Sequence, residues 1–155
     1  MPATLTEQAI QTLEITREEE IAASIDIVFE TLLEQLGPLN ETPEGRSLSM
    51  KLEPWPGGRW FRDLGNNTGH FWGQVQVIKP PTLLEICGPM PMSYPAINHL
   101  QYRLKSEGAG TRLTFLHRAM GLIIPEHRDG MPEGWEHKLE RIRERAERKK
   151  RKETK

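Results

Sequence analysis

The sequence lacks the features of a secreted or membrane-spanning protein. Cys87 is the only cysteine among its 155 residues, so no internal disulfide can form. No signal-peptide pattern and no apolar run near the ~20 residues of a membrane helix occurs. We therefore expect a cytoplasmic protein with no membrane span.

Patterns for phosphate or metal binding are also missing. The pair Gly57-Gly58 precedes a strand pattern rather than a helix, which argues against a nucleotide phosphate loop. The histidines lack the helical i, i+4 spacing and the cysteine partners of zinc sites; they are His70, His99, His117, His127 and His137. We expect no metal and no cofactor, and Cys87 is interpreted as an inert thiol.

Charge is distributed unevenly along the chain. The net charge is −1, but residues 138–155 contain ten Lys or Arg against four Glu, a surplus of six, so the preceding residues carry −7. No aromatic residue lies among the basic residues 148–152, so base stacking there is not indicated. We expect no nucleic-acid partner and a solvated, removable tail at 149–155.

Hydrophobic periodicity predicts one α+β domain over residues 1–155, with its core at about 13–148. Alternation predicts a first strand at 13–21, and helical spacing predicts a helix from Ser24 to the Gly37-Pro38 stop. A second helix is predicted to open at Gly134 after an irregular stretch at 120–133. Strand patterns separated by turns follow the first helix, at 47–53, 59–63, 69–78, 83–88, 97–106 and 111–119. The absence of βαβ alternation indicates an antiparallel sheet.

Strand parity predicts which side chains face inward, because successive residues point to opposite faces. Phe71 shares the parity of Val75 and Val77, which predicts that it faces the C-terminal helix and that Trp72 points outward. Trp60 and Phe61 must lie on opposite faces, so only one of them can point inward.

The same parity argument places two polar side chains on the concave side of the sheet. His117 shares the parity of Phe115, and Asn98 shares that of Tyr102. A buried polar group without a partner costs roughly 1–3 kcal/mol. These two groups must therefore bond each other, the backbone, or a polar ligand atom.

Five segments in order resemble a known family. They are residues 55–60 (WPGGRW), 72–75 (WGQV), 79–84 (KPPTLL), 110–117 (GTRLTFLH), and Gly134-Trp135 with Leu139. Together they resemble the SRPBCC, or START-like helix-grip, superfamily, in the branch of the C-terminal domain of the Hsp90 ATPase activator. The resemblance implies a curved antiparallel sheet of about six to seven strands wrapped around a long C-terminal helix, with a hydrophobic pocket between them.

The first functional hypothesis is binding of a small hydrophobic or aromatic ligand in that pocket. Aromatic side chains offer a large contact area, and a few polar groups would orient the ligand. The predicted ligand-binding residues are Trp60, Phe61, Phe71, Asn98, Tyr102, Phe115, His117, Trp135 and Leu139. No catalytic residue is assigned.

Two alternatives remain open from the sequence. One is a protein-interaction module of the chaperone-activator type, contacting a protein partner or forming a homodimer through Trp72 on the outer sheet face. The other is an enzyme similar to polyketide cyclases or dehydratases, in which His117 acts as acid or base.

Overall fold

The fold is a seven-stranded antiparallel sheet with two helices on it. The computed structural model describes residues 1–153. Its elements are β1 (Gln11–Ile21), α1 (Ile25–Leu36), β2 (Lys51–Leu52), β3 (Arg59–Gly65), β4 (Thr68–Lys79), β5 (Leu83–Gly88), β6 (Ala96–Glu107), β7 (Gly110–Gly121) and α2 (Pro125–Glu153). The predicted α+β helix-grip architecture is confirmed.

Strand order follows the chain except for the first strand. The order is β1-β7-β6-β5-β4-β3-β2, so β1 crosses to pair with the last strand at the far edge. All of these pairs are antiparallel. The strand predicted at 13–21 therefore lies at one edge of the sheet, and α1 forms the connection between the two edges.

The turn between β3 and β4 has the residues that its geometry needs. Asn66 and Asn67 both adopt positive φ, at 52° and 60°. Asparagine tolerates this left-handed region better than most residues. The turn falls between the strands predicted at 59–63 and 69–78. It closes the hairpin that contains Phe61 and Phe71, two of the residues predicted to bind a ligand.

A β-bulge at Trp72 overturns the parity prediction for β4. Trp60 pairs with Gly73, but the next residue, Phe61, pairs with Phe71, so Trp72 is an extra residue in its strand. Such a residue breaks the alternation of faces. Trp72 is consequently buried, with 8% of its surface exposed, whereas Phe71 is 46% exposed. The predictions that Phe71 faces the helix and that Trp72 points outward are both wrong.

Helix α2 is longer than the sequence predicted at both ends. It starts at Pro125 rather than Gly134 and includes Gly130 and Pro132, residues that have poor intrinsic helix propensity. Its first turns are held by tertiary contacts instead, because Met131 packs against the core. No helix within residues 1–153 is long and apolar enough to cross a membrane.

The predicted solvated tail is also part of α2. The helix runs to Glu153, and Lys149 Nζ is paired with Glu34 and, at 3.4 Å, with Glu30 of α1. The remaining tail positions, Thr154 and Lys155, lie outside the described residues.

The core lies between the concave face of the sheet and the two helices. Trp60 Nε1 donates a hydrogen bond of 2.8 Å to the Leu36 carbonyl, which joins β3 to the end of α1. The apolar stripes that cover the sheet are Val28, Phe29, Leu32 and Leu36 of α1 and Trp135, Leu139, Ile142 and Ala146 of α2.

Candidate functional site

An aromatic column fills the centre of the space between sheet and helix. Ring centroids are 5.0 Å apart between Tyr102 and Phe115, and 4.5 Å apart between Phe115 and Trp135. Tyr102, Phe115 and the neighbouring Leu139 have no exposed surface. These predicted ligand-binding residues therefore form packed core behind Trp135 rather than the wall of an open cavity.

His117 and Asn98 bond each other, as one of the sequence alternatives proposed. His117 Nε2 lies 2.7 Å from Asn98 Oδ1, and the Trp135 Nε1–H donates to His117 Nδ1 at 2.9 Å. Nδ1 therefore acts as the acceptor, and Nε2 carries the proton and donates to Asn98. The network fixes one neutral tautomer of the ring.

The environment of His117 opposes its protonation. Burial, with a smaller contribution from the charge of His99, lowers the pKa of His117 from 6.5 to about 4. A second ring proton would also point at the Trp135 N–H, which has no electron pair to accept it. This geometry gives the ring a structural role and offers no support for an acid or base at neutral pH.

Asn98 extends this network to the loop between β5 and β6. Its Nδ2 donates to the carbonyls of Gly88 and Pro89, both at 3.2 Å. Further along the same loop, Tyr94 Oη lies 2.8 Å from His127 Nδ1 on the first turn of α2. The loop is thus tied to the sheet at one end and to the helix at the other.

An apolar cleft of about 240 Å³ opens beside this loop. We call it the tryptophan cleft, because Trp60, Trp72 and Trp135 contribute to its walls. Its other lining residues are Asn40, Glu41, Thr42, Pro43, Leu48, Met90, Pro91, Met131, Gly134 and Lys138. It lies between the start of α2, the β5–β6 loop and the loop after α1.

Two tryptophans give the cleft a rigid inner wall. Trp60 and Trp72 meet edge to face, with ring centroids 5.1 Å apart and planes at 84°. Such pairs are favoured by the ring quadrupoles. The Trp72 Nε1–H is buried and finds no acceptor within residues 1–153, as is also the case for the Tyr102 hydroxyl. Burial raises the pKa of Tyr102.

A charged cluster forms one rim of the cleft. Glu41 accepts hydrogen bonds from Arg141 Nε at 2.8 Å and from His137 Nε2 at 3.1 Å. Burial favours the neutral acid, but the hydrogen bond and charge of Arg141, followed by those of His137, prevail and lower the pKa of Glu41. Lys138 stands apart from this pair, because its Nζ bonds the neutral Asn40 Oδ1.

Phe61 and Phe71 are not part of the cleft. They pair across β3 and β4, and the Arg59 guanidinium lies 4.5 Å from the centre of the Phe61 ring. Together with the β3–β4 turn they line an open surface groove instead. The predicted place of Phe71 in the ligand pocket is wrong, because the bulge at Trp72 puts its side chain on the outer face. Phe61 lies outside the cleft because Trp60, its neighbour on the opposite face of β3, is the one that points inward.

The structure brings Trp60 and Trp135 into the cleft, with His117 and Asn98 bonded behind Trp135. Sequence reasoning missed Trp72, Lys138, Leu48, Met90 and Met131, which line it as well. Lys138 lies one helical turn from Trp135, so the helix spacing carried a signal for it. The loop residues carried no periodic signal.

No metal centre is indicated in the part of the chain that the structure describes. Residues 1–153 hold no group of three or more His, Cys, Asp or Glu side chains arranged to bind a metal ion. The pairs that do form, such as His99 with Glu85 at 2.7 Å, are isolated.

The curved sheet, the long covering helix and the cleft between them define a helix-grip protein of the SRPBCC type. Residues 22–147 match the family model described as "Activator of Hsp90 ATPase homolog 1-like protein". The match covers most of the chain, so the chain belongs to this family. The resemblance seen in the sequence is confirmed. No curated protein sequence matches the chain significantly.

Solved structures share the fold at low sequence identity. A protein of Rhizobium leguminosarum is 17% identical with a TM-score of 0.73, over 92% of this chain and 99% of that one. Mll3558 of Rhizobium loti is 20% identical with a TM-score of 0.67, over 89% and 99%. Ara h 8.0201 is 11% identical with a TM-score of 0.61, over 89% and 98%. At these identities the similarity shows the fold alone.

Proposed function

We propose that the protein binds a small, largely apolar molecule in the tryptophan cleft. The observation that carries this proposal is the joint lining of one opening of about 240 Å³ by Trp60, Trp72 and Trp135. Concave, mostly apolar openings with a few polar groups are the usual form of small-molecule sites. The fold supports the proposal as well, because it leaves an opening between sheet and helix at this end.

The size of the cleft limits the ligand. At ~30 Å³ for each water-sized group, its volume has room for roughly eight non-hydrogen atoms, enough for an eight-carbon chain whose polar head lies at the opening. The packed column of Tyr102 and Phe115 excludes a longer molecule from the centre of the fold. We therefore propose a ligand with a short alkyl chain or a single aromatic ring, bound next to Trp135.

A glycine in the cleft allows a specific test. Gly134 lines the cleft, lies on α2, and would place a Cβ atom in open space. Since a Cβ atom at Gly134 would meet no atom within 4 Å, we expect Gly134→Leu to be tolerated and to reduce the volume of the cleft. Gly130 lies one turn earlier on the same helix, also faces open space and is outside the cleft, which makes Gly130→Leu the matched control.

The experiment is a titration with 1-octanol, followed by tryptophan fluorescence and by calorimetry. Wild type and Gly130→Leu should bind with similar Kd, and Gly134→Leu should bind at least tenfold more weakly. Saturable binding that is unchanged in Gly134→Leu would place the ligand elsewhere. Absence of saturable binding to wild type would refute the proposal.

A protein-interaction module is the second candidate function. The family description names an activator of Hsp90 ATPase, which supports a chaperone-linked role. Since Trp72 is buried, the outward aromatic side chain of β4 is Phe71, which is 46% exposed. If this face binds a protein or a second copy of the chain, Phe71→Ala should reduce stimulation of a purified Hsp90 ATPase or shift the sedimentation coefficient. No stimulation and no change in sedimentation would count against it.

A further inference from the structure

We infer that the ligand of the tryptophan cleft carries a carboxylate, which Lys138 binds at the rim. This inference rests on the proposed function and specifies its ligand class as a short amphipathic monocarboxylate. It depends on the charges around the cleft, on the partners of Lys138, and on the hydrogen-bond donors near the cleft that have no acceptor within residues 1–153.

Among residues 1–153, the rim of the cleft has one cation, Lys138, that forms no ion pair. Lys138 and Glu41 are the charged residues that line the cleft. Glu41 is already bound by Arg141 Nε at 2.8 Å and by His137 Nε2 at 3.1 Å. Within residues 1–153, Lys138 Nζ forms no ion pair, and its hydrogen bond goes to the uncharged Asn40 amide oxygen. An ammonium has three donors, so two remain for a ligand.

The position of Lys138 makes an anion more favourable than a neutral group. Its stem lies on α2 beside Trp135, and removal of its amine from water lowers the pKa of Lys138 to about 8, with Glu41 opposing the change. A buried charge is costly until it is paired with an opposite charge. A carboxylate at the rim would supply that opposite charge while its apolar chain lies against the tryptophans.

The tryptophan behind the inner wall adds no acceptor that would favour a cationic ligand. The Trp72 indole N–H is buried and unpaired in the described chain, and the Trp72 ring lines the same cleft. The Trp72 N–H is buried away from the opening, so the Lys138 ammonium is the donor that a ligand oxygen at the rim can reach. A cationic ligand would instead be repelled by the Lys138 ammonium, since Glu41 is already bound by Arg141 and His137.

Three molecules with the same eight-carbon chain test the inference: octanoate, 1-octanol and octylamine. At pH 7 they are anionic, neutral and cationic. We expect wild type to bind octanoate at least tenfold more tightly than 1-octanol, and octylamine most weakly. Lys138→Met keeps the apolar stem and removes the charge, so it should bind octanoate and 1-octanol with similar Kd.

A matched control and a pH series complete the test. Lys105→Met removes an exposed lysine that is outside the cleft, and it should keep the wild-type preference. The preference should fall above pH 8 as Lys138 loses its proton. The charged or titratable neighbours of Lys138 are Glu41, Arg141 and His137. Throughout that pH range Arg141 stays charged and Glu41 stays ionised. His137 is bound to Glu41.

The outcomes distinguish a failure of the carboxylate inference from a failure of the proposed function, the binding of an apolar molecule in the tryptophan cleft. Equal binding of octanoate and 1-octanol by wild type would overturn the carboxylate inference and leave the apolar site in place. A preference for octanoate that survives in Lys138→Met would also overturn it. If none of the three binds, both the inference and the proposed function fail.

Discussion

Single side chains in this core are explained by their hydrogen-bond partners. Strand parity predicted from the sequence that His117 and Asn98 face inward, and both do, because β6 and β7 pair in regular register. The same argument failed for Phe71 and Trp72. One inserted residue reverses the faces of a strand, and nothing in the sequence marks where a bulge falls.

His117 should make the protein sensitive to acid. Its pKa is about 4 in the folded protein against 6.5 for the free side chain, so the unfolded chain binds more protons between these values. The contribution of the neutral His117 ring to the free energy of unfolding is therefore complete above pH 6.5, and it is lost as the pH falls toward 4. At 1.36 kcal/mol per pKa unit, the contribution is on the order of 3 kcal/mol.

The measurement is urea denaturation of wild type and His117→Gln at several values between pH 4 and 7. Both proteins will show the titration of their other groups, so the difference between them reports His117. We expect the variant to be less stable at pH 7 and the gap to narrow toward pH 4. A gap that is constant over this range would contradict the assigned neutral state.

A pair of tryptophan substitutions should separate hydrogen bonding from packing. Trp135→Phe removes the donor to His117 Nδ1, while Trp72→Phe removes an N–H that has no partner in the described chain. Leaving a buried acceptor unsatisfied costs about 1–3 kcal/mol. We therefore expect Trp135→Phe to be the more destabilising by that amount in urea denaturation, and equal losses would argue against the network.

At the level of elements, the longest periodic segments were the most predictable. The helix α1 and the hairpin of β6 and β7 were located to within a few residues, because apolar spacing and turn composition agree there. The start of α2 was misplaced since Gly130 and Pro132 obscure the helical pattern, and contacts made only in the folded chain hold it. The loops that line the cleft have no pattern to detect.

Alanine substitution should change the stability of the protein in opposite directions at a glycine of α2 and at a glycine of the sheet. Gly130 is helical and faces open space, so Gly130→Ala should add about 0.5–1 kcal/mol to the free energy of unfolding. A Cβ atom at Gly88 would lie 2.3 Å from the Gly73 Cα, so Gly88→Ala should destabilise the sheet. Thermal and urea denaturation measure both, and a stabilised Gly88→Ala would show that β4 and β5 can separate.

On the scale of the whole molecule, the element order and five short segments were enough to predict the fold class and the family. The extent of the pocket was not predictable. It depends on how far Tyr102, Phe115 and Leu139 fill the interior, and their inward direction alone suits both a cavity wall and a packed core. The difference arises from the distance between α2 and the sheet, which no local pattern encodes.

Ligand binding in the tryptophan cleft should stabilise the entire fold, because the cleft joins α2 to the loops after α1 and β5. A ligand that binds only the folded state at one hundred times its Kd adds about 2.7 kcal/mol. For a domain of this size that corresponds to a Tm increase of roughly 5–11 °C. We expect 1-octanol to raise the Tm of wild type and Gly130→Leu by similar amounts and to leave Gly134→Leu nearly unchanged, as followed by circular dichroism. If Gly134→Leu gained as much, the alcohol would be acting on the protein surface in general, and the cleft would lose its role as the binding site.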